Sequence, residues 1–254
     1  MNQSYPAGTP FIWRESDAGP LLEARMLSGI ALNGVTTRAL RFREPSLEAD
    51  YAALAGAFDV DPSKVLRVRQ VHGNRVVVVH AAEAGVDATD ADAIICTDPE
   101  RVASVRIADC VPLLVADSGR RLVAAVHAGW RGTAAGVARE TIRCIESLGV
   151  PADRLIVAIG PSIGPCCYQV SEDVRQEMVH RWQTESWFTR DGERHWKLDL
   201  WRANRDQLLA AGVRPAAITV AGLCTIEHGD RFFSHRREGE NAGRMVAAIR
   251  LLAG

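Results

Sequence analysis

Short, almost wholly apolar runs punctuate the middle of this chain: Val76 to Val79, Ala91 to Thr97 around Ile94 and Ile95, Val102 to Ile107, Val111 to Ala116, Leu122 to Val126, Leu155 to Ile159 and Ile218 to Ala221. They are rich in β-branched residues and separated by turn residues such as Asp98-Pro99 and Asp117-Ser118-Gly119, which predicts strands. Val111 to Ala116 and Leu122 to Val126 form the arms of a hairpin. Lys64 to Arg75 followed by Val76 to Val79 reads as two strands joined at His72-Gly73-Asn74. Helical periods lie between these runs. One is capped by Ser46 and extends from Leu47 to Phe58, before Asp61-Pro62. A second has Thr133 as N-cap, is amphipathic through Leu148 and closes at Gly149. A third runs from Ser171 to about His180, and a fourth from Asp199 to Gly212 with Leu200, Trp201, Asn204, Leu208 and Leu209 near one face. Asn33-Gly34 is a turn signal, residues 1–20 an irregular lead-in with one short extended piece, and residues 184–195 a mobile polar insertion. Periodicity leaves Arg244 to Leu252 open between closing strand and short helix. The expectation is one α/β (α+β) domain over residues 1–254.

Composition narrows the partner. The chain has 254 residues, 47% of them hydrophobic, and a formal net charge of −1, enough to bury a large core. Without a basic run or an arginine-and-aromatic stripe, neither nucleic acid nor a membrane surface is indicated, so a small molecule is expected, on a monomer or weak homo-oligomer. No apolar stretch reaches bilayer length and Met1 to Pro10 lacks a signal-peptide pattern, pointing to the cytoplasm. Six cysteines, two of them adjacent at Cys166-Cys167, suit reduced thiols better than a disulfide framework.

Candidate chemistry gathers where regular runs break. Val126-His127-Ala128-Gly129-Trp130-Arg131-Gly132 ends an apolar run in a histidine and passes at once into helix-like sequence, placing His127 at a strand end facing a helix start. His72 sits at a bend, and Ala108-Asp109-Cys110 interrupts two apolar runs. Two imidazoles and a thiolate suit zinc, with copper an alternative on grounds of softness, and three ligands leave a fourth position for water or substrate. The same residues also suit a cysteine hydrolase, with Cys110 as nucleophile and His127 as base. Asp109 is either a proton shuttle or a turn aspartate. Glu227-His228 and His235-Arg236-Arg237 form a second polar cluster, an anion site or a solvated strand end. Trp130 and Tyr168 either stack on a planar base or fill core space, and the Gly/Pro-rich loop Gly160 to Tyr168 is either a ligand-shaping loop or a connection.

Six ordered motifs resemble those of the polyphenol-oxidase-like, or laccase-domain, family: Gln70-Val-His-Gly, Ala91-Asp-Ala with Thr97, Ala108-Asp-Cys-Val-Pro-Leu-Leu, Val126-His-Ala-Gly-Trp-Arg-Gly, Gly160-Pro-Ser-Ile-Gly-Pro-Cys-Cys-Tyr and Phe232-Phe-Ser-His-Arg-Arg. The resemblance implies layered mixed β-sheets flanked by helices, similar to the catalytic domains of cytotoxic necrotizing factors. It also implies a metal and catalytic site on His72, Cys110 and His127. Its members are described as purine nucleoside phosphorylases and adenosine deaminases, under an older label as copper-dependent polyphenol oxidases, and in one bacterial branch as peptidoglycan-editing factors. This chain departs from the pattern early. Asn33 stands where the family has histidine in the segment through Arg38, the Gly/Ser-rich stretch that usually follows is missing, and Ala242-Gly243-Arg244 replaces Thr-Gly-Arg. The expected activity is that of a zinc-dependent purine nucleoside enzyme, performing phosphorolysis of adenosine, inosine or methylthioadenosine and deamination of adenosine. His72, Cys110, His127 and Asp109 are its expected catalytic residues, and Arg236, Arg237, Glu227 and Arg38 bind substrate and phosphate. The rivals are a copper polyphenol oxidase, a cysteine hydrolase or wall-precursor editing enzyme, and a partner-binding protein with a vestigial site.

Overall fold

Val111–Asp117 and Val123–Ala128 carry no exposed side chain on either face, so both faces of the sheet they form are covered. The computed structural model describes residues 10–81, 86–87 and 89–252. Its strands in chain order are β1 (Phe11–Arg14), β2 (Leu21–Ala24), β3 (Ala31–Val35), β4 (Val65–Leu66), β5 (Val76–Val79), β6 (Ala93–Cys96), β7 (Val102–Ile107), β8 (Val111–Asp117), β9 (Val123–Ala128), β10 (Leu155–Ile159), β11 (Gln169–Ser171), β12 (Phe188–Arg190), β13 (His195–Leu198), β14 (Ile218–Val220) and β15 (Met245–Leu251). The α-helices are α1 (Leu47–Ala57), α2 (Trp130–Ala135), α3 (Val137–Ser147), α4 (Glu172–Trp182), α5 (Leu200–Ala210) and α6 (His235–Glu238).

Two six-stranded mixed sheets, ordered β1-β2-β3-β15-β7-β4 and β14-β10-β8-β9-β6-β5, pack face to face, and a three-stranded sheet β11-β13-β12 stands beside them. The period-2 alternation of a strand sorts the side chains. From β7 and β15, Val105, Ile107, Met245, Ala247 and Ile249 meet Leu114, Ala116, Val123 and Ala125 of β8 and β9 in the inter-sheet layer. Leu113, Val115, Ala124 and Val126 point the other way, against Val137, Ile142 and Ile145 of α3 and Leu200 and Leu208 of α5. Val102, Val246 and Ala248 back onto Tyr51, Leu54 and Ala55 of α1. The result is a mixed α/β domain of four layers: helix, sheet, sheet, helices.

Several expectations change. Asn33-Gly34 lies inside β3, because the Asn33 side chain accepts the Ala24 N–H at 2.8 Å and ties β3 to its neighbour; this long-range bond overrides the local turn preference. The segments flanking His72 do not form one hairpin, since β4 pairs with β7 and β5 with β6, in different sheets. The helix expected from Thr133 begins earlier, at Trp130 with Gly129 as N-cap, and is broken by Gly136 at φ +81° before α3. Thr133 is spent inside the fold, accepting from the Asn204 side chain at 3.1 Å. Residues 184–195 are not a loose insertion. They hold β12 and the start of β13, anchored by the Trp187 indole donating to Asp206 at 2.8 Å. Met245–Leu251 is a strand, paired on both sides. The lead-in supplies β1, hairpin partner of β2; its first nine residues lie outside the described residues.

Candidate active site

Three breaks in regular structure and one strand residue meet at one end of the second sheet. His72 lies between β4 and β5 at φ +61°, Asp92 just before β6, Cys110 between β7 and β8 behind Asp109 at φ +83°, and His127 on β9. Gln70 fixes the first of these breaks. Its amide donates to the Arg106 carbonyl and accepts the Arg106 N–H, both at 2.8 Å, continuing the pairing of β7 where β4 leaves off. The ligand atoms of His72, Cys110 and His127 lie within 4.8 Å of one another, with the two imidazole rings edge to face at a centroid distance of 4.8 Å. Gly129 makes the approach feasible, because a Cβ there would lie 2.8 Å from the Cys110 sulfur and 3.1 Å from the His72 ring.

Asp92, fully buried, holds both histidines. One carboxylate oxygen accepts the His72 N–H at 2.9 Å and Nδ1 of His127 at 2.8 Å, while the other accepts the Gly73 N–H at 2.7 Å. Burial would raise the Asp92 pKa, but the hydrogen bond from His127 and those from the Gly73 and His72 backbone hold it below the usual carboxylate range. Burial likewise opposes charge on Cys110. The imidazolium of His127 and the hydrogen bonds of both histidines outweigh it and bring the thiol down to about 6. For His127, burial lowers the pKa, while the Cys110 sulfur and then Asp92 raise it, to about 9. The metal-free pair is therefore a thiolate beside an imidazolium.

The donor set fits a divalent metal ion. With Nδ1 of His127 committed to Asp92, Nε2 is left for an ion, the carboxylate–histidine–metal arrangement of many zinc sites, and the histidine and cysteine donors match zinc or copper.

The cluster opens into a cavity of about 600 Å³, lined also by Trp130, Ile163, Tyr168 and four arginines: Arg43, Arg106, Arg236 and Arg244. Burial lowers the Arg244 pKa, and the charges of Arg43 and Arg106 lower it further, against the opposing charges of Glu240 and Cys110. Asp109 lines the same cavity, with its carboxylate held by the Thr225 hydroxyl and the Arg236 N–H at 2.6 Å each. The structure thus brings together His72, Cys110, His127, Asp109 and Arg236. It places three other expected site residues outside the cavity lining. Arg38 donates to the Gly229 and Phe232 carbonyls and pairs with Glu238. Arg237 braces the Thr225, Ile226 and Phe232 carbonyls. Glu227 is not among the lining residues.

Sequence reasoning missed Asp92, Arg43, Arg106 and Arg244. One was detectable: Arg106 is the sole charged residue of β7, whose other five residues are buried, and a lone arginine at the end of a buried strand needs a polar destination.

The chain belongs to the laccase-domain family: the family model described as multi-copper polyphenol oxidoreductase laccase matches residues 43–252. It is similar to the purine nucleoside phosphorylase of Deinococcus radiodurans, 37% identical over 79% of this chain and 75% of that protein. A purine nucleoside phosphorylase of Bacteroides thetaiotaomicron is 37% identical over 62% of this chain, an alignment spanning only 60% of that relative. An adenosine deaminase, RL5, from an unknown prokaryotic organism is 33% identical over 77% of this chain and 78% of that protein. Among solved structures, YlmD from Geobacillus stearothermophilus superposes with a TM-score of 0.88 at 30% identity, over 96% of this chain and all of the other. Among the described residues, no helix is long and apolar enough to cross a membrane.

Proposed function

We propose that the chain is a zinc-dependent purine nucleoside enzyme that splits adenosine, inosine or methylthioadenosine with phosphate and deaminates adenosine. The observation that carries this reading is the His72, Cys110 and His127 cluster opening onto an arginine-lined cavity. His72, Cys110 and His127 hold the ion, and Asp92 orients His127. When bound, such an ion supplies Lewis acidity and eases deprotonation of a water. In deamination, water attacks the amino-bearing purine carbon and ammonia leaves. Asp109, fixed on the cavity wall, carries the proton from the attacking water to the departing nitrogen. In phosphorolysis, a phosphate oxygen attacks the ribose anomeric carbon as the bond to the base breaks. Arg43, Arg106, Arg236 and Arg244 hold the phosphate and neutralise its charge as the transition state forms. Tyr168 and Trp130 border the space for the planar base.

Incubation with adenosine, with and without phosphate, tests this by chromatography and mass spectrometry. Expected products are adenine with ribose 1-phosphate when phosphate is present, and inosine from deamination in either case. Both should be absent with Cys110→Ala and after metal removal, and return with zinc. Recovery only with copper, together with oxygen uptake on a phenol, would replace this reading by the oxidase. The Cys110–His127 ion pair favours one second reading, a metal-free cysteine hydrolase. Turnover that persists in metal-stripped protein and stops on Cys110 alkylation would establish it.

A further inference from the structure

Outside the cavity lining, the described residues hold a second cluster of soft donors. The sulfurs of Cys166, Cys167 and Cys224 lie within 4.8 Å of one another, although Cys224 is about sixty positions away in the chain. The approach is built by backbone. Ser162 and Cys224 pair as an isolated parallel bridge, with the Ser162 N–H donating to the Leu223 carbonyl at 3.2 Å and the Thr225 N–H to the Ser162 carbonyl at 2.9 Å. The chain then turns back at Gly164, whose carbonyl accepts the Cys167 N–H at 3.0 Å, and both cysteines of the pair return toward Cys224. A Cβ on Gly164 would lie 3.2 Å from the Cys166 sulfur, 3.2 Å from Cβ of Cys224 and 2.8 Å from the Trp201 ring. Glycine at this position is a condition of the sulfurs meeting.

The Gly164 N–H also donates to the Cys224 sulfur at 3.3 Å, a hydrogen bond that favours the thiolate form a metal ion needs. Cys166 is exposed, which gives an ion a way in.

We propose that Cys166, Cys167 and Cys224 form a second metal site, a trithiolate for a thiophilic d10 ion such as Zn2+ or Cu+, separate from the His72, Cys110 and His127 cluster. Binding is acid–base chemistry: each thiol still protonated releases its proton to solvent as a metal–sulfur bond forms, with no change of oxidation state. Three thiolates satisfy Cu+, and Zn2+ completes four-coordination with water. The ion staples the 160–168 loop, which carries Ile163 and Tyr168 into the cavity, to the 221–228 loop, whose Thr225 holds Asp109. The site is thus a structural clamp on one cavity wall.

The test uses the full chain carrying Cys110→Ser, so that the first cluster does not contribute. Under reductant, this protein is expected to bind one equivalent of Zn2+, or of Cu+ offered separately, in competition with a chromogenic chelator. Co2+ at the same site should show thiolate-to-metal charge-transfer absorption. Adding Cys166→Ser, at an exposed position, should weaken Zn2+ binding at least about tenfold, and Cys224→Ser, which leaves two thiolates, should lower the charge-transfer absorption. Failure of the Cys110→Ser protein to bind either ion, or equal binding by a variant with all three cysteines changed to serine, would overturn the proposal. So would a disulfide among the three that forms in air equally fast with and without Zn2+.

Discussion

Asp92 is one carboxylate on which a loop histidine and a strand histidine converge, and its replacement separates geometry from charge. Asp92→Asn keeps the size of the side chain but turns an acceptor into a donor toward at least one N–H. Metal affinity at the His72, Cys110 and His127 cluster should fall by about 10–100-fold, read by chelator competition, and stability by about 1–3 kcal/mol, read by urea unfolding. Cys110 has its own signature in metal-free protein. Its depressed pKa keeps the sulfur a thiolate above about pH 6, and the thiolate is lost as pH falls through that value. Alkylation by iodoacetamide should therefore rise with an inflection near pH 6 and stay level toward pH 9. With His127→Ala the imidazolium is gone, and the inflection should move up toward that of an ordinary thiol.

Elements form where local pattern and distant packing agree, and the departures show what local pattern cannot contain. The β8–β9 hairpin, β10 and α5 were legible because apolar runs and flanking turn or cap residues carry the instruction within a few positions. Asp199 is a direct case: its side chain accepts the Arg202 N–H at 2.9 Å, and Asp199→Ala should cost about 1 kcal/mol. The break between α2 and α3 was not legible. An isolated glycine in a helical period says little until Trp182 is seen 3.3 Å from where a Cβ of Gly136 would be. Gly136→Ala should cost about 1 kcal/mol or more, and urea midpoints of the two variants compare the effects. The same divide runs through the site. His72, Cys110 and His127 announce themselves by interrupting apolar runs. Asp92 hides beside Asp90 in a small-residue segment, and Arg43 and Arg244 acquire a role only when a loop and a strand start are folded against β7. The missing early stretch is also clarified, since the short connection into α1 still delivers Arg43 to the cavity.

At the scale of the molecule, a chain with a net charge of −1 concentrates four arginines around one opening, so the field that matters is local. Arg106→Ala or Arg244→Ala should raise the KM for phosphate about tenfold or more, as expected for removing a charged hydrogen bond. Deamination of adenosine, which uses no phosphate, should change much less, and steady-state kinetics with each substrate varied separates the two effects. The cavity also straddles the join between the sheets. Arg106 on β7 and Arg244 beside β15 belong to the first sheet, while His127 lies on β9 of the second and Cys110 directly before β8. On the proposed function, two of the arginines that hold phosphate and two of the metal ligands are thus mounted on two separate plates, and the apolar filling between the plates sets the reach from one to the other. Leu114 and Ile249 belong to that filling and do not line the cavity. Ile249→Ala should cost about 2–5 kcal/mol in stability. Where the protein remains folded, it should also lower kcat/KM for phosphorolysis by letting the plates settle closer together, an effect on catalysis from a side chain that no substrate meets.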